Sequence, residues 1–590
     1  MKNLTLALFL SVTLTLAEDY VLGPDSQPQA GVPKGTVTRL KLEPGKLYPG
    51  TPHNYAIYVP AQYDASKPTP VMIFLDGLGS LGNGQRVPVV FDNLIARREL
   101  PPIIGIFVDP GILPASGDAQ SRFERVFEYD SLSDRYSRFL LEELIPEVAK
   151  KYNLSKDPND RGLAGVSTGA VGAFAAAWNR PDQFRRVLSF IGTFVAMKGA
   201  DALPALIRRT EPKPIRIFLQ AGRNDHIVPT QTYGTFFGGS WPVNNQVMLE
   251  AFESAGYDAK LVLGTEGHNM KHGAAIMPEA LRWLWRDYPN PITVKEPAGM
   301  SREGWDSRGK VYSLFSADKP WQQVGATYKS VTSPISGSNG NVYFADPAAS
   351  RIYQADGNGQ VTVFKENTGG ATALAVGPGG RLYASQPARK RIVSYGTGGD
   401  EKVVAPNVDA GSLAVASTGA VYFTDSARKS IGYLDQAGKA HLMAANKEMA
   451  QPSSVALSPD HGMLIVGDAQ SRFSWSFQID KDGAPVNGEP FYRLEMPESG
   501  WMSGTVGVTE DSIGQVYFAT NLGVQVCEAN GRVAMILNPP EPGGSVSSVV
   551  FGGKDFDWLM VAQGGKLFRR PVKIKGVAPW APAKLPRPPL

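Results

Sequence analysis

The chain is poor in cysteine, in histidine and in net charge. Its 590 residues include one cysteine, Cys527, so neither an intramolecular disulfide nor a cysteine-based zinc site can form. Lys and Arg number 59 against 55 Asp and Glu, and a formal charge of +4 is too small to indicate a nucleic-acid or membrane-surface partner. The hydrophobic content of 43% is ordinary for a packed protein and excludes disorder over most of the chain.

Long apolar runs are also scarce, and the exception lies at the N-terminus. Residues 1–17, MKNLTLALFLSVTLTLA, combine Lys2, an apolar stretch, and the small residues Thr15 and Ala17 at a position suited to cleavage. This three-part pattern is typical of an export signal and is short for a membrane span. We therefore expect a secreted or periplasmic protein with no membrane span in its mature chain.

The first half of the chain alternates apolar strands with helical patterns. Strand-like runs occur at 55–60, 71–75, 103–108, 161–166, 187–192 and 215–220. An amphipathic helix beginning at Ser133 and a small-residue helix over 170–178 lie between them. This order predicts an α/β domain over 20–292, with a mostly parallel sheet and helices on both faces. The Pro/Gly-rich segment 293–310 predicts a linker.

The second half carries a repeated unit without helical periodicity. Its copies are GNVYFAD (340–346), GRLYASQ (380–386), GAVYFTD (419–425), GMLIVGD (462–468), GQVYFAT (514–520) and the degenerate DWLMVAQ (557–563). This period of about 40–45 residues predicts a six-bladed β-propeller over 311–576, with a Pro-rich tail at 577–590. The strand-like VYSLFS at 311–316 has no partner, and we expect it to close the ring by joining the last blade.

The pentapeptide 165–169, GVSTG, is the strongest local signal for catalysis. It matches the G-x-S-x-G nucleophile elbow, and it follows a predicted strand and begins a predicted helix, as that motif requires. Small residues permit the sharp turn that raises the serine hydroxyl above the sheet. The motif predicts that Ser167 is a nucleophile.

A serine nucleophile needs a base and an acid, which follow it in the order acid, histidine in α/β-hydrolases. Three histidines follow Ser167 in this half, and His268 lies just after the strand-like run 260–264, where a loop-borne triad histidine belongs. His272 stays open as the alternative, whereas His226 is too close to the acid loop. Asp225, shortly after the run 215–220, is the predicted acid. The alternative acids are Asp258 and Glu266.

The oxyanion hole of such an enzyme needs two backbone N–H groups. The first predicted donor is the backbone N–H of Thr168, the residue after the nucleophile. The glycine-rich loop FLDGLGSLG at 74–82 predicts the other, with Gly77 or Leu78 as the donor.

Several segments of the first half resemble the esterase family that includes enterochelin, feruloyl and acetyl-xylan esterases and esterase D. The resemblance lies in YAIYVPAQYD, VMIFLDG, GVSTGAVGAF and EGHNMKHGAAIMPEALRWLWRDYP, and it covers roughly residues 35–290. It implies an α/β-hydrolase fold and a Ser–His–Asp triad, which falls here on Ser167, His268 and Asp225.

Residues 310–575 resemble the senescence-marker-protein/gluconolactonase family, which includes regucalcin. The blade repeats and the segment NLGVQVCEANGRV carry this resemblance. It implies one divalent cation, such as calcium, at the centre of the ring, held by a Glu, two Asn and an Asp. The matching positions are Thr332-Ser333-Pro334, Ala371-Thr372-Ala373, Gly411-Ser412, Pro452-Ser453-Ser454 and Ser503-Gly504. They contain no carboxylate, so we expect no metal and no cofactor, with Glu510 or Asp511 as the nearby acids that could restore a cation site.

Three hypotheses of function follow from these patterns. The first is a secreted serine carboxylic-ester hydrolase with an accessory propeller, acting on small-molecule or polysaccharide-linked esters of the acetyl or feruloyl type. The second is a metal-dependent sugar lactonase that works through the propeller, and the third is a non-catalytic binding protein. Retention of every triad element favours the first, and loss of the metal carboxylates opposes the second.

Overall fold

The structure is a computed structural model of the chain. It describes residues 20–118, 120–227, 230–232, 235–296, 311–435, 437–443, 447–498, 500–578 and 580–584. The predicted leader 1–17 and residues 297–310 of the predicted linker lie outside the described residues.

The first half contains one large sheet and two small hairpins. Its strands are β1 Thr36–Leu42, β2 His53–Val59, β3 Val71–Leu75, β4 Ile104–Val108, β5 Ile112–Leu113, β6 Arg122–Phe123, β7 Arg161–Val166, β8 Arg186–Phe190, β9 Arg216–Gly222, β10 Thr230–Thr232, β11 Thr235–Phe237 and β12 Asp258–Gly264. The large sheet has the order β1-β2-β4-β3-β7-β8-β9-β12, and its strands from β4 to β12 are parallel. The strands β5 and β6 form one hairpin, and β10 and β11 form the other.

Helices cover both faces of the large sheet, as the apolar strands predict. They are α1 Val87–Ala96, α2 Arg125–Tyr129, α3 Arg135–Phe139, α4 Ile145–Ala149, α5 Thr168–Asn179, α6 Leu203–Arg209, α7 Trp241–Ala255, α8 Lys271–Ala275 and α9 Met277–Trp285, with a π-helical segment Leu140–Leu144 between α3 and α4. One hydrophobic core lies under α1 and α9, and a second lies under α3 to α7. Because β3 and β4 are buried along their whole length, they are apolar at consecutive positions rather than alternating ones.

The described residues of the second half form six four-stranded antiparallel sheets, which are the blades of a β-propeller. In chain order the strands are β13 Gln322–Val324, β14 Thr332–Ser336, β15 Val342–Asp346, β16 Arg351–Ala355, β17 Val361–Glu366, β18 Leu374–Val376, β19 Leu382–Gln386, β20 Arg391–Tyr395, β21 Glu401–Pro406, β22 Leu413–Val415, β23 Val421–Asp425, β24 Ser430–Leu434, β25 Ala440–Leu442, β26 Pro452–Leu457, β27 Met463–Asp468, β28 Phe473–Ile479, β29 Pro485–Arg493, β30 Gly507–Glu510, β31 Val516–Thr520, β32 Gly523–Cys527, β33 Val533–Leu537, β34 Ser548–Gly552, β35 Trp558–Gln563 and β36 Lys566–Pro571. The inner strands β14, β18, β22, β26, β30 and β34 neighbour one another in turn and surround a central channel.

The ring is closed by a segment from its own N-terminal side, although not by the one predicted. Residues 311–316, expected to be a strand, instead begin with a short helix, α10 Val311–Leu314. The strand that joins the last blade is β13, which pairs with β36. The propeller core buries four side chains of this segment, those of Val311, Tyr312, Leu314 and Phe315. Their spacing fits one face of a helix, whereas a strand with one exposed face would bury only alternate residues.

The two halves are joined by a buried polar contact centred on Glu211. Its carboxylate accepts hydrogen bonds from Arg570 Nη1 at 2.6 Å and from the Asn538 amide at 2.9 Å. Its own amide donates to the carbonyl of Ile536 at 2.8 Å. The Arg570 side chain is 3% exposed, and its guanidinium lies 3.5 Å from the centre of the Phe315 ring. The two domains therefore share a desolvated ion pair as well as backbone hydrogen bonds.

Within the described part of the chain, every helix is too short or too polar to cross a lipid bilayer.

We predict that Glu211→Ala lowers the free energy of unfolding by about 3–5 kcal/mol, because it leaves the Arg570 guanidinium buried without its carboxylate. Thermal and urea denaturation of the full chain would measure this loss. The control is Asp400→Ala, which removes the exposed partner of Arg381 and should cost no more than about 1 kcal/mol. Equal effects of the two substitutions would contradict the role given to Glu211.

Candidate active site

Ser167 lies at the turn between β7 and α5, at the carboxyl edge of the large sheet. Its backbone has φ 59° and ψ −121°, a left-handed conformation that a residue with a Cβ rarely adopts. Its amide donates to the carbonyl of Phe190 at 2.9 Å, and its carbonyl accepts from the amide of Thr193 at 3.2 Å. These bonds to the end of β8 hold the strained residue in place.

The glycines of the pentapeptide are required by close packing of the turn. A Cβ on Gly165 would lie 2.0 Å from the carbonyl oxygen of Gly169, so strand and helix can approach only because that atom is missing. A Cβ on Gly169 would lie 2.8 Å from an Asp76 carboxylate oxygen. Asp76 and Ile191, which follow β3 and β8, also have positive φ, at 54° and 43°. Three strands that are neighbours in the sheet, β3, β7 and β8, are therefore each followed by a strained residue at this edge, and such strain is common at functional sites.

The structure brings Ser167, His268 and Asp225 into one hydrogen-bonded row. Ser167 Oγ lies 2.9 Å from His268 Nε2, and His268 Nδ1 lies 3.0 Å from each carboxylate oxygen of Asp225. The Asp225 side chain is fully buried, whereas that of His268 is 27% exposed. A buried carboxylate behind a half-exposed imidazole that faces a hydroxyl is the arrangement of a nucleophile, a base and an orienting acid.

The alternative residues lie elsewhere. His272 is buried beneath β12, where its Nδ1 lies 3.1 Å from Gln220 Nε2 and its ring packs on Tyr20. Asp258 begins β12 and forms ion pairs with Arg216 and Arg286.

The second alternative acid, Glu266, follows β12 and accepts a hydrogen bond from Asn269 Nδ2 at 2.9 Å. Neither acid contacts His268. The arrangement therefore favours the predicted pair over its alternatives.

The candidate oxyanion-hole residues differ in whether their backbone amides already donate a hydrogen bond. Thr168 is the first residue of α5, where the amide points out of the helix N-terminus. The Leu78 amide, in contrast, donates to the Asp109 carboxylate at 3.0 Å and is occupied. No hydrogen bond from the Gly77 amide is found within the described residues. A Cβ on Gly77 would lie 2.6 Å from the Phe107 Cα, which explains why glycine stands there.

Two residues that sequence patterns did not indicate complete the surroundings of the triad. Thr193 Oγ1 lies 3.0 Å from Ser167 Oγ and accepts a hydrogen bond from Trp241 Nε1 at 3.3 Å. The buried Trp241 ring also packs edge-on against the His268 ring, with centroids 5.4 Å apart. Thr193 closely follows β8, so its position after a parallel strand was the available signal. Trp241 begins α7 and carries no such signal.

An ion pair supports the turn from below. Arg125 donates to both Asp76 carboxylate oxygens, at 2.8 and 2.7 Å, and to the carbonyl of Val166 at 3.1 Å. Burial alone would lower the pKa of Arg125, but its bonds to Asp76 outweigh burial and raise that pKa. The guanidinium therefore stays charged beside the residue that precedes Ser167.

The channel of the propeller is the second candidate site, because the resemblance to the gluconolactonase family implies a divalent cation at the centre of the ring. Several residues at the starts of the inner strands carry neutral hydroxyls that donate to neighbouring blades. Thr332 Oγ1 donates to the Thr372 carbonyl at 2.9 Å, and Ser503 Oγ donates to the Asp468 carbonyl at 3.1 Å. Ser453 Oγ donates to the carbonyl of Thr505. Neutral side chains with no carboxylate among them do not fit a dication, which needs charged oxygen ligands.

The two acids that could have restored a cation site do not lie at this end. Glu510 ends β30, so it lies at the opposite end of the channel from the strand starts. It is 7% exposed, and burial together with Asp511 and Asp460 raises its pKa well above the ordinary value. Asp511 is fully buried and accepts bonds from Tyr517 Oη and from the amides of Ile513 and Gln515. Glu510 at the far end of the channel and Asp511 with its oxygens already bonded offer no ligand set for a cation at the strand starts.

The C-terminal tail crosses this end of the channel. The amide of Ser512 donates to the carbonyl of Lys575 at 2.8 Å, and Val577 lines the central cavity of about 120 Å³. Farther along, Trp580 packs on Phe556, and the amide of Lys584 donates to the carbonyl of Pro459 at 2.7 Å. The described part of the predicted tail is therefore packed on the propeller.

Family comparisons agree with the two architectures. Residues 48–283 match the family model described as Putative esterase, and residues 332–564 match the one described as SMP-30/Gluconolactonase/LRE-like region. The chain therefore combines an esterase-type domain with a gluconolactonase-type six-bladed propeller, and the first match supports hydrolysis of ester bonds.

Individual relatives are distant. An uncharacterized protein, YbbA, of Bacillus subtilis (strain 168) is 21% identical over 184 residues, which are 29% of this chain and 68% of that protein. The iron(III) enterobactin esterase of Dickeya dadantii (strain 3937) is 24% identical over 223 residues, 35% of this chain and 44% of that protein. The match thus spans about two thirds of the first curated relative and less than half of the second.

Two solved structures each cover less than half of this chain. A gluconolactonase from Xanthomonas campestris has a TM-score of 0.39 and 20% identity, covering 43% of this chain and 90% of that chain. A ferulic acid esterase has a TM-score of 0.34 and 18% identity, covering 43% of this chain and 98% of that chain.

We predict that Gly165→Ala destabilises the esterase domain by about 1–3 kcal/mol or more, because its Cβ would meet the Gly169 carbonyl. Thermal denaturation and soluble yield would measure the change. The matched control is Gly79→Ala, where a Cβ meets no atom within 4 Å. A Gly165→Ala variant as stable as the Gly79→Ala variant would show that the turn has room for a side chain.

We also predict that buried Glu510 makes the wild type less stable as pH rises from about 4.5 towards the raised pKa of this group. Unfolding returns the carboxyl to its ordinary pKa and releases its proton, so higher pH favours the unfolded chain. Glu510→Gln, which cannot ionise, should flatten this dependence, whereas the exposed control Glu489→Gln should not. Urea denaturation from pH 5 to 9 would measure it, and identical slopes for wild type and Glu510→Gln would contradict the prediction.

Proposed function

We propose that the chain is a serine carboxylic-ester hydrolase in which Ser167 is the nucleophile, His268 the general base and Asp225 the orienting acid. The observation that carries this proposal is the unbroken row of hydrogen bonds from Ser167 Oγ through His268 to the buried Asp225 carboxylate. The strained conformation of Ser167 at the start of α5 supports it further.

The chemistry follows from this row. His268 Nε2 takes the proton as Ser167 Oγ attacks the ester carbonyl, and Asp225 stabilises the imidazolium that forms. The proton then passes from His268 to the leaving alcohol, and an acyl-enzyme results. Water, activated by the same imidazole, attacks the acyl carbonyl and releases the acid and free Ser167.

The oxyanion of each tetrahedral intermediate needs donors that are not already bonded. The Thr168 amide at the N-terminus of α5 supplies one of them, with the partial positive charge of the helix end behind it. We assign the second to Gly77 rather than to Leu78, because the Leu78 amide donates to Asp109. Among the residues that the structure describes, Gly77 is the candidate of this loop whose amide has no bond.

The propeller has an accessory role in this proposal and needs no cofactor. Its side chains at the cation position of the related family are neutral, several of their hydroxyls donate to neighbouring blades, and Glu510 lies at the far end of the channel. These features oppose a metal-dependent sugar lactonase. The third hypothesis, a binding protein without catalysis, is opposed by the assembled triad.

We further propose that the leader 1–17 directs the protein to the periplasm or the exterior, and that its substrates are small or carbohydrate-linked esters of the acetyl or feruloyl type. The half-exposed His268 supports access to Ser167 from solvent. A panel of p-nitrophenyl acetate, methyl ferulate, acetylated xylo-oligosaccharides and gluconolactone separates these classes. Fractionation of cells that produce the full chain would test the location.

We predict that Ser167→Ala lowers kcat/KM for p-nitrophenyl acetate by about 10³-fold or more, because it removes the hydroxyl that lies 2.9 Å from His268 Nε2. Asp225→Asn should cause a similar loss through the wrong tautomer of His268. Excess chelator should not lower the wild-type rate. Initial rates of the purified full chain, with and without chelator, measure all three effects.

The matched control is Ser254→Ala on α7, where the hydroxyl bonds only to the Ala251 carbonyl of its own helix. Its activity should equal that of the wild type. Activity that survives Ser167→Ala and disappears with chelator would overturn the proposal, since the propeller would then be the hydrolase. Absence of hydrolysis of every ester in the panel would favour the binding protein.

A further inference from the structure

His226 stands directly beside the triad without belonging to it. The residue follows Asp225 in the chain, and its amide donates to Asp225 Oδ1 at 2.7 Å. The centroids of the His226 and His268 rings are 5.4 Å apart, and both rings pack against Trp241 at 5.1 and 5.4 Å. The Trp241 indole therefore packs against both imidazoles, next to one buried carboxylate.

Three side chains of metal-binding type converge here. One ligand atom from each of Asp225, His226 and His268 lies within 4.8 Å of the others. Among the described residues, this is the group of His, Cys, Asp and Glu side chains that meets this spacing. The nitrogen and oxygen ligands of a tetrahedral zinc ion lie about 3.3 Å from one another. Side-chain rotations that move the ligand atoms of these three residues by about an ångström would therefore allow all three to bind one ion.

We propose that Asp225, His226 and His268 form a binding site for a divalent transition-metal cation such as zinc, and that the bound cation holds the esterase inactive. Two imidazoles and one carboxylate suit zinc, and water completes the fourth position. Calcium and magnesium prefer all-oxygen sites and do not compete for this one. The site is distinct from the propeller channel, where the side chains at the cation position of the related family are neutral.

Inhibition follows from the ligands that the cation uses. Coordination takes the Asp225 carboxylate and one nitrogen of His268, and each of those groups is a link in the row that ends at Ser167 Oγ. The hydroxyl then has no base, and removal of the cation restores it. This inhibitory effect rests on the proposed esterase function, whereas binding of the cation does not.

The test uses the chelator-stripped full chain and zinc chloride. Isothermal titration calorimetry measures binding, and p-nitrophenyl acetate hydrolysis measures inhibition. We expect zinc to bind and to inhibit the wild type reversibly. His226→Gln should weaken zinc binding and inhibition by at least about tenfold. It should keep hydrolysis near the wild-type rate, since the His226 side chain is not a link in the row of hydrogen bonds from Ser167 through His268 to Asp225.

Two further variants make the result decisive. His441→Gln removes a propeller histidine that pairs with Asp435, and it should bind zinc and be inhibited as the wild type is. Ser167→Ala should bind zinc normally although it does not hydrolyse the ester. If zinc binds while wild type hydrolyses nothing, the metal site stands and the esterase proposal fails. Wild-type zinc affinity in His226→Gln, or no binding by the wild type at millimolar zinc, would overturn the metal site.

Discussion

The approach of strand β7 to helix α5 at Gly165 and Gly169 is the constraint on which the candidate active site depends. A side chain at Gly165 would collide with the Gly169 carbonyl. Because glycine has none, the chain can reverse direction within a single residue. That residue, Ser167, takes a left-handed backbone, and two hydrogen bonds to the end of β8 hold it there. Its hydroxyl is thereby aimed at His268 before any substrate arrives, and such pre-organisation is the main contribution of a rigid scaffold to catalysis.

The sheet, the blades and the turn at Ser167 could be predicted because each is encoded locally. Buried parallel strands are continuous apolar runs, blades repeat at a fixed period, and the nucleophile turn needs small residues at fixed offsets. Trp241 and Arg125 could not be predicted, since they begin separate helices that meet only when the strand order is known, and the one signal for Thr193 was its position after β8. Residues 311–316 look like a strand because their apolar side chains are dense, but all of them are buried and the segment is helical at its start.

Residue type alone also does not predict which hydrogen-bond partners a backbone amide or an acidic side chain will have in the fold. Gly77 and Leu78 are equivalent in sequence as amide donors, and only the position of Asp109 separates them. Glu510 is close in sequence to the expected cation ligands, yet it lies at the other end of its strand. The two halves thus treat polar groups differently: the esterase domain leaves its hydroxyl and imidazole facing solvent, whereas the propeller uses its hydroxyls to tie blade to blade.

The contact between Glu211 and Arg570 has a consequence for the order in which the chain folds during synthesis. The two residues are 359 positions apart, and Arg570 lies on the last strand of the propeller. A ribosome delivers the esterase domain first, so this domain must fold with Glu211 still solvated. A charged side chain at that point keeps the waiting surface from being apolar and prone to aggregation. The last blade then desolvates the carboxylate as it docks, which makes ring closure and domain assembly a single late event.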